Sequence, residues 1–202
     1  SPTSRFKIPI AKQPTSEGFR RFPMVASGAT VLKPIRVTMD AMDNHPLHPV
    51  DDLARILSYQ DAIDESASVH EVASEMYAMS CWTPEFCAAL IRAADLVGGY
   101  TSHESDPVPG QEISLVAISP SLFEAVQNDM GMRIWPQLQQ HWPLIDYHGI
   151  NDAFIIRYEV GGQEELRIHH DVAQVSASVK LNSDYLGAEL QFPRQEFSNA
   201  DM

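Results

Sequence analysis

The stretch that decides the fold is RIHHDVAQVSASVKLNSDYLGAELQF, residues 167–192. Small and β-branched residues alternate over 172–181, and this pattern predicts a strand with two distinct faces. Residues 189–192 predict a second strand. Between them lie three residues that favour turns, namely Asn182, Asp184 and Gly187. We therefore expect this part of the chain to belong to a β-rich domain.

The same stretch opens with a His-x-Asp set. Residues i and i+2 of a strand point to one face, so His169 and Asp171 share a face while His170 points to the other. One imidazole and one carboxylate are two of the three ligands in the 2-His-1-carboxylate triad of non-haem Fe(II) sites. The sequence therefore predicts His169 and Asp171 as metal ligands. The alternative is a purely structural His–Asp pair on a sheet.

A longer ordered set surrounds these residues: Phe154–Tyr158 (FIIRY), the His-x-Asp set, and then Leu181, Asn182, Asp184, Tyr185, Gly187, Glu189, Leu190 and Phe192. This set resembles the prolyl/lysyl hydroxylase branch of the Fe(II)/2-oxoglutarate-dependent dioxygenases. Looser similarity reaches upstream to CWTPEFC at 81–87 and to 108–113. The resemblance thus covers residues 80–202, while residues 1–79 resemble no family.

The resemblance implies an α+β, mainly β, fold whose core is a double-stranded β-helix (jelly roll) with N-terminal flanking helices. It implies Fe(II) as the metal, 2-oxoglutarate as the cosubstrate and ascorbate as a further candidate cofactor. Tyr158 would lie near 2-oxoglutarate and hydrogen-bond it, although a buried sheet aromatic is an equal alternative. The implied reaction hydroxylates an unactivated C–H bond. A protein Pro or Lys side chain, an amino acid and a natural product all fit as substrate.

The chain departs from the family at its C-terminal side. Met202 lies 31 residues past Asp171, whereas the family places a second metal-binding His and then an Arg or Lys on later strands. No His follows His170, and the only later Arg is Arg194. We therefore expect the C-terminal strands to be absent from this sequence. The rival interpretations are a non-catalytic jelly-roll module and a cupin-like metal enzyme without 2-oxoglutarate.

Proline and charge divide the remaining chain. Residues 1–50 contain seven prolines and seven of the fourteen Lys and Arg residues, and they predict an extended arm or linker, or a docking arm for an acidic partner. Residues 51–79 predict helices at 51–57 and 69–79. Thr83-Pro84 and Ser119-Pro120 each predict a capped helix, the first ending at Gly98 and the second continuing towards His141.

Composition excludes some functions. A net charge of −13 disfavours nonspecific binding to nucleic acid or anionic membranes. The sequence contains no run of eighteen apolar residues, so it predicts no transmembrane helix. Two cysteines close in sequence, Cys81 and Cys87, indicate free thiols, and we predict a cytoplasmic protein.

Other polar residues are weaker candidates. His45 and His48 lie between prolines without a completing ligand, and we do not expect them to bind metal. His103, Glu104 and Asp106 lie in a polar loop that either borders the site or is simply solvated. The remaining residues are expected to have structural roles: Arg157 in a surface ion pair, Asn182 and Gly187 in a turn, and Trp135, Trp142, Tyr185 and Phe192 in packing.

Overall fold

The structure, a computed structural model, describes residues 3–10, 26–29, 56, 58–59, 62–63, 68–102, 108–171, 173–183 and 185–199. Its strands are β1 (Thr3–Ile10), β2 (Ala26–Ala29), β3 (His70–Ala73), β4 (Met76–Ala78), β5 (Glu112–Ser114), β6 (Phe154–Tyr158), β7 (His169–His170), β8 (Val175–Lys180), β9 (Leu190–Phe192) and β10 (Phe197–Ser198). Its helices are α1 (Pro84–Val97), α2 (Leu115–Ile118), α3 (Pro120–Asp129) and α4 (Trp135–Leu138), with a π-helical turn, Met130–Ile134, between the last two.

Strands from the C-terminal half of the chain, together with β1 and β2, form two four-stranded antiparallel sheets. Sheet 1 has the order β5-β6-β1-β8, and sheet 2 has the order β10-β9-β2-β7. The consecutive strands β6, β7, β8 and β9 therefore alternate between the two sheets. This alternation is compatible with the expected jelly roll, and the fold class stays a prediction.

The inner strands of both sheets come from the beginning of the chain. Strand β1 pairs with β6 on one side and with β8 on the other, so that the residue 6 backbone lies between Ile155 and Val179. Strand β2 lies between β7 and β9 in the same way. These pairings span more than a hundred residues of sequence, and alternation within a segment does not predict them.

Helices α1 and α3 begin where the sequence predicts. The Thr83 side chain accepts a hydrogen bond from the Phe86 N–H at the start of α1, and the Ser119 side chain accepts one from the Leu122 N–H at the start of α3. Helix α1 ends at Gly98, whose φ of 66° is one that glycine adopts readily. Both helix starts and the α1 end are confirmed, as is the continuation of helix past Gly131.

The helices pack on one face of sheet 1. Their buried side chains join strand residues in a single apolar cluster that includes Phe86, Leu90, Leu122, Val126 and Ile155. Along β6, Ile155 contributes to this cluster and Arg157 forms an ion pair with Asp95 of α1, so these two residues share the helix-facing side. By alternation, Tyr158 lies on the opposite face.

The expected helix over 69–79 is wrong. Strands β3 and β4 form an antiparallel hairpin there, with Glu75 at a φ of 62° in its turn. Tyr77 stacks on His141 and meets Trp142 edge-on, with ring centroids 4.2 and 5.1 Å away. These contacts with a distant segment favour the strand over the weak local helix propensity.

Of the remaining expectations, some are confirmed and others lie outside the described residues. Strand β8 confirms the core of the strand expected over 172–181, and β9 that of the second one. The expected helix at 51–57, the His45 and His48 pair, and the His103 loop lie outside the described residues, apart from Ile56, which is helical. Within the described part, no helix combines the length and apolar character needed to cross a membrane.

Candidate metal centre

The imidazole of His169 is oriented by the backbone two residues earlier. Its Nδ1 lies 2.8 Å from the carbonyl oxygen of Arg167. A carbonyl oxygen can only accept a hydrogen bond, so Nδ1 carries the proton and donates it. In a neutral imidazole the lone pair then resides on Nε2, which is the nitrogen that can bind a metal.

The Nε2 atom of His169 faces the carboxylate of Asp171. Nε2 lies 3.3 Å from Asp171 Oδ1. Two metal–ligand bonds of about 2.1 Å hold their donor atoms about 3.0 Å apart at a right angle and about 3.4 Å apart at a tetrahedral angle. The observed separation lies between these values, and so the two atoms suit neighbouring positions on one metal ion.

The two side chains of this pair are mostly shielded from solvent. The side chains of His169 and Asp171 are 13% and 9% exposed. A lone pair and a carboxylate oxygen that face each other away from water repel unless a cation, either a proton or a metal ion, lies between them. His170 is exposed, as expected for a residue on the opposite face of the strand.

Strand pairing fixes the position of this pair. Strand β7 is only two residues long, and its His169–His170 backbone pairs with β2 at positions 27 and 26. Asp171 follows the strand directly. A segment from the beginning of the chain thus supports the strand that carries the candidate ligands.

Tyr158, the residue that we expect near 2-oxoglutarate, lies at the end of β6 and is partly buried. It belongs to sheet 1, whereas His169 belongs to sheet 2. Its role as a cosubstrate ligand stays a prediction. Arg157 takes the ion-paired role that we expect, with its NH2 group 2.8 Å from Asp95 Oδ1.

No third ligand completes the centre within the described ranges. Among those residues, no group of three or more His, Cys, Asp or Glu side chains is placed to hold a metal ion. His169 and Asp171 therefore provide one nitrogen and one oxygen. A third His, Cys, Asp or Glu ligand to the same ion would have to come from outside the described part of the chain.

Two consecutive residues in the turn after β8 have a left-handed backbone. Gly187 and Ala188 have φ values of 86° and 57°. Only glycine adopts such a left-handed backbone without steric cost. Ala188 keeps the same backbone shape at some cost in strain.

Two features of this region escape sequence reasoning. The Arg167 carbonyl is a backbone group, so residue type does not mark its contact with His169. A cleft beside Arg157, which also contains Gln111 and Gln163, forms from segments about fifty residues apart. In the sequence these glutamines look like ordinary surface residues.

Comparison with known proteins gives no relative. No model of a known protein family matches this chain, and neither the curated proteins nor the solved structures that were searched contain a significant match.

Proposed function

We propose that this chain is a metal-dependent oxygenase of the Fe(II)/2-oxoglutarate type, which hydroxylates an unactivated C–H bond. The single observation that carries the proposal is the geometry of His169 and Asp171. Their Nε2 and Oδ1 atoms lie 3.3 Å apart, nearly buried, with the imidazole tautomer set by the Arg167 carbonyl. The sequence resemblance then favours iron and 2-oxoglutarate over other metals and cosubstrates.

The chain's own residues have defined tasks in this proposal. His169 would donate a hydrogen bond from Nδ1–H to the Arg167 carbonyl and offer the Nε2 lone pair to Fe(II), while Asp171 would offer a carboxylate oxygen beside it. Tyr158 would hydrogen-bond 2-oxoglutarate. When bound, the iron supplies the redox chemistry by which O₂ and 2-oxoglutarate convert R–H to R–OH, with release of succinate and CO₂.

The low exposure of the pair supports this role. A dry environment strengthens the interaction of the carboxylate with a bound cation and limits side reactions of oxidising species with water. The substrate class stays open among protein side chains, amino acids and natural products. We further propose a cytoplasmic location.

Succinate release tests the proposal. The protein would be incubated with Fe(II), ascorbate and 2-oxoglutarate in air, with the H169A variant as the blank, and succinate would be measured by mass spectrometry. We expect slow, iron-dependent succinate formation even without the true substrate, and at least a hundredfold less with H169A. Equal rates for the two proteins would contradict the proposal.

The rival function is a non-catalytic binding module. It is favoured by the absence of a third metal-ligating side chain among the described residues. A protein of this kind would bind metal weakly or not at all and release no succinate. The same experiment therefore separates the two functions.

A further inference from the structure

A cleft at the helix-facing side of β6 forms a second candidate site. It has a volume of about 420 Å³ and is lined by Tyr100, Gln111, Arg157, Glu159, Gly162 and Gln163. This volume lies within the range of small-molecule sites in proteins. Arg157 and Tyr158 are neighbours on a strand, so the cleft opens on the face of β6 opposite to Tyr158. The cleft is thus distinct from the site proposed for 2-oxoglutarate.

Local structure holds the walls of the cleft in place. The Arg157 guanidinium lies 4.8 Å from the centre of the Tyr100 ring and is ion-paired with Asp95. The Glu159 N–H donates to the Gln163 carbonyl at 2.8 Å, which closes a turn over 159–163. The arginine therefore has a fixed position and its charge is already balanced.

A hydrogen bond from the Gln111 backbone fixes the orientation of the Gln163 amide. The Gln111 backbone N–H donates to Gln163 Oε1. An N–H must face an acceptor, so the oxygen lies on that side and Nε2 lies on the other. The amide nitrogen is left as a donor with no hydrogen-bond acceptor among the described residues.

The cleft contains a second donor without an acceptor among the described residues. Arg157 Nε is buried and has no acceptor in the described part of the chain. A buried N–H without an acceptor is costly, and because these two donors belong to residues that line one cleft, an acceptor bound there would remove that cost. A carboxylate has two acceptor oxygens, which matches the number of these donors.

The charges of the cleft limit the ligand further. Glu159 is exposed, follows the end of β6 directly and lines the same cleft as Arg157. A simple carboxylate would be repelled by Glu159. A ligand that also carries an ammonium group would place that group near Glu159 and its carboxylate near Arg157 and Gln163.

We propose that this cleft binds a free α-amino acid, through its carboxylate at Arg157 and Gln163 and its ammonium group at Glu159. Charged and amide groups lie in the lining, so the cleft suits the zwitterionic end of the ligand. This inference does not depend on the metal pair or on the proposed oxygenase activity.

Three matched probes test the inference on the full chain by NMR titration. L-Alanine carries both charged groups, propionate lacks the ammonium group, and ethylamine lacks the carboxylate. We expect saturable binding of alanine, with Kd on the order of millimolar for so small a ligand. Propionate should bind at least fivefold more weakly, and ethylamine should not bind.

Two variants assign the binding to the cleft. Gln163→Glu keeps the oxygen that accepts from Gln111 but replaces the donor with a negative charge, so alanine should bind at least tenfold more weakly. Glu159→Gln should weaken alanine and leave propionate unchanged or tighter. Gln174→Glu makes the same chemical change at an exposed residue outside the cleft lining, and it should bind alanine as the wild type does.

Several results would overturn the inference. These are a wild-type protein that does not bind alanine saturably, a Gln163→Glu variant that binds alanine normally, and propionate that binds as tightly as alanine. The exposed position of Glu159 keeps the test valid even if the change at Gln163 disturbs folding.

Discussion

At the scale of single residues, His169 shows how a backbone atom decides the chemistry of a side chain. The His-x-Asp spacing predicts that two side chains share a face, and their 3.3 Å separation agrees with that expectation. The spacing does not reveal which imidazole nitrogen is available. The Arg167 carbonyl settles this point, because it accepts a hydrogen bond from Nδ1–H and leaves the unprotonated Nε2 facing Asp171.

A second residue-scale feature is a buried hydrogen-bond network around Tyr59. Its hydroxyl donates to Asp129 Oδ2 at 2.8 Å and accepts from Trp82 Nε1 at 2.8 Å. Arg133 donates hydrogen bonds from two nitrogens to the same carboxylate, at 2.7 and 2.6 Å. Burial and the nearby Asp129 charge raise the pKa of Tyr59 far above its usual value, so its hydroxyl stays protonated as a donor.

Tyr59→Phe should therefore destabilise the protein. The change removes both hydrogen bonds while it preserves the packing of the ring, and we expect a loss of about 1–3 kcal/mol in the free energy of unfolding. Urea denaturation would measure the loss. Tyr77→Phe makes the same change in a partly exposed ring and should alter stability by less than about 0.5 kcal/mol. Equal effects at the two positions would contradict this account of the network.

At the scale of elements, structure that depends on local sequence signals is predictable, whereas structure that depends on long-range contacts is not. The starts of α1 and α3 are predictable because their caps, Thr83 and Ser119, act on N–H groups three residues away. The β3–β4 hairpin is not, because Tyr77 meets its aromatic partners more than sixty residues later. Strands β1 and β2 escape prediction for the same reason.

Strand β1 offers a test of such long-range pairing. Its backbone at residue 6 lies between two strands, so Phe6→Pro removes an N–H from the interior of sheet 1 and restricts the backbone. We expect a loss of about 3 kcal/mol or more, visible as a lower thermal midpoint. Thr3→Pro is the control, because proline is tolerated at the first residue of a strand. If both substitutions were harmless, β1 would not be an inner strand.

The π-helical turn between α3 and α4 contains a glycine that packing requires. A Cβ atom at Gly131 would lie 2.8 Å from Cε1 of Tyr147. The ring cannot move easily, because its hydroxyl donates to the Gln127 carbonyl at 2.8 Å and it packs on Trp135. Close approach to this ring explains why glycine occupies a helical position here.

Gly131→Ala should consequently destabilise the protein. Alanine gains about 1 kcal/mol of helix propensity, but overpacking costs about 1–3 kcal/mol, so the clash decides the sign. Gly162→Ala, where a Cβ atom would meet no atom closer than 3.6 Å, should be tolerated. Thermal unfolding of the two variants would compare them. A more stable Gly131→Ala protein would show that the Tyr147 ring moves freely.

At the scale of the whole molecule, buried ionisable groups predict sensitivity to alkali. Burial raises the pKa of the Cys81 thiol to about 12 and that of Cys87 to about 11, from an ordinary value of 9.0. Burial also raises the pKa values of Tyr100 and Tyr147 to about 12, from 10.0. In each case the folded protein keeps a proton that the unfolded chain releases.

The sign of the pH dependence follows from this difference. Below about pH 9 these groups are protonated in both states, and their contribution to stability is fully present. As the pH rises from about 9 to 12, unfolding releases protons and the free energy of unfolding falls. Urea midpoints at pH 8, 9, 10 and 11 should decline progressively, and less steeply in a Cys87→Ala variant. A midpoint that stays constant up to pH 11 would contradict the burial of these groups.

The whole molecule also joins the two halves of the chain around the candidate centre. Strand β2 pairs with β7, so the backbone at His169 is supported by a segment from the beginning of the sequence. The pair was predictable because its spacing is local. Its support was not, because strand pairing over long sequence separations leaves no periodic trace.

Anaerobic calorimetric titration of the full chain with Fe(II) tests the central claim most directly. We predict one bound Fe(II) per chain in the wild type, binding at least tenfold weaker in His169→Ala and Asp171→Ala, and unchanged binding in His170→Ala, whose side chain is exposed. Equal affinity in all four proteins, or an equal loss in His170→Ala, would show that His169 and Asp171 do not form a metal centre.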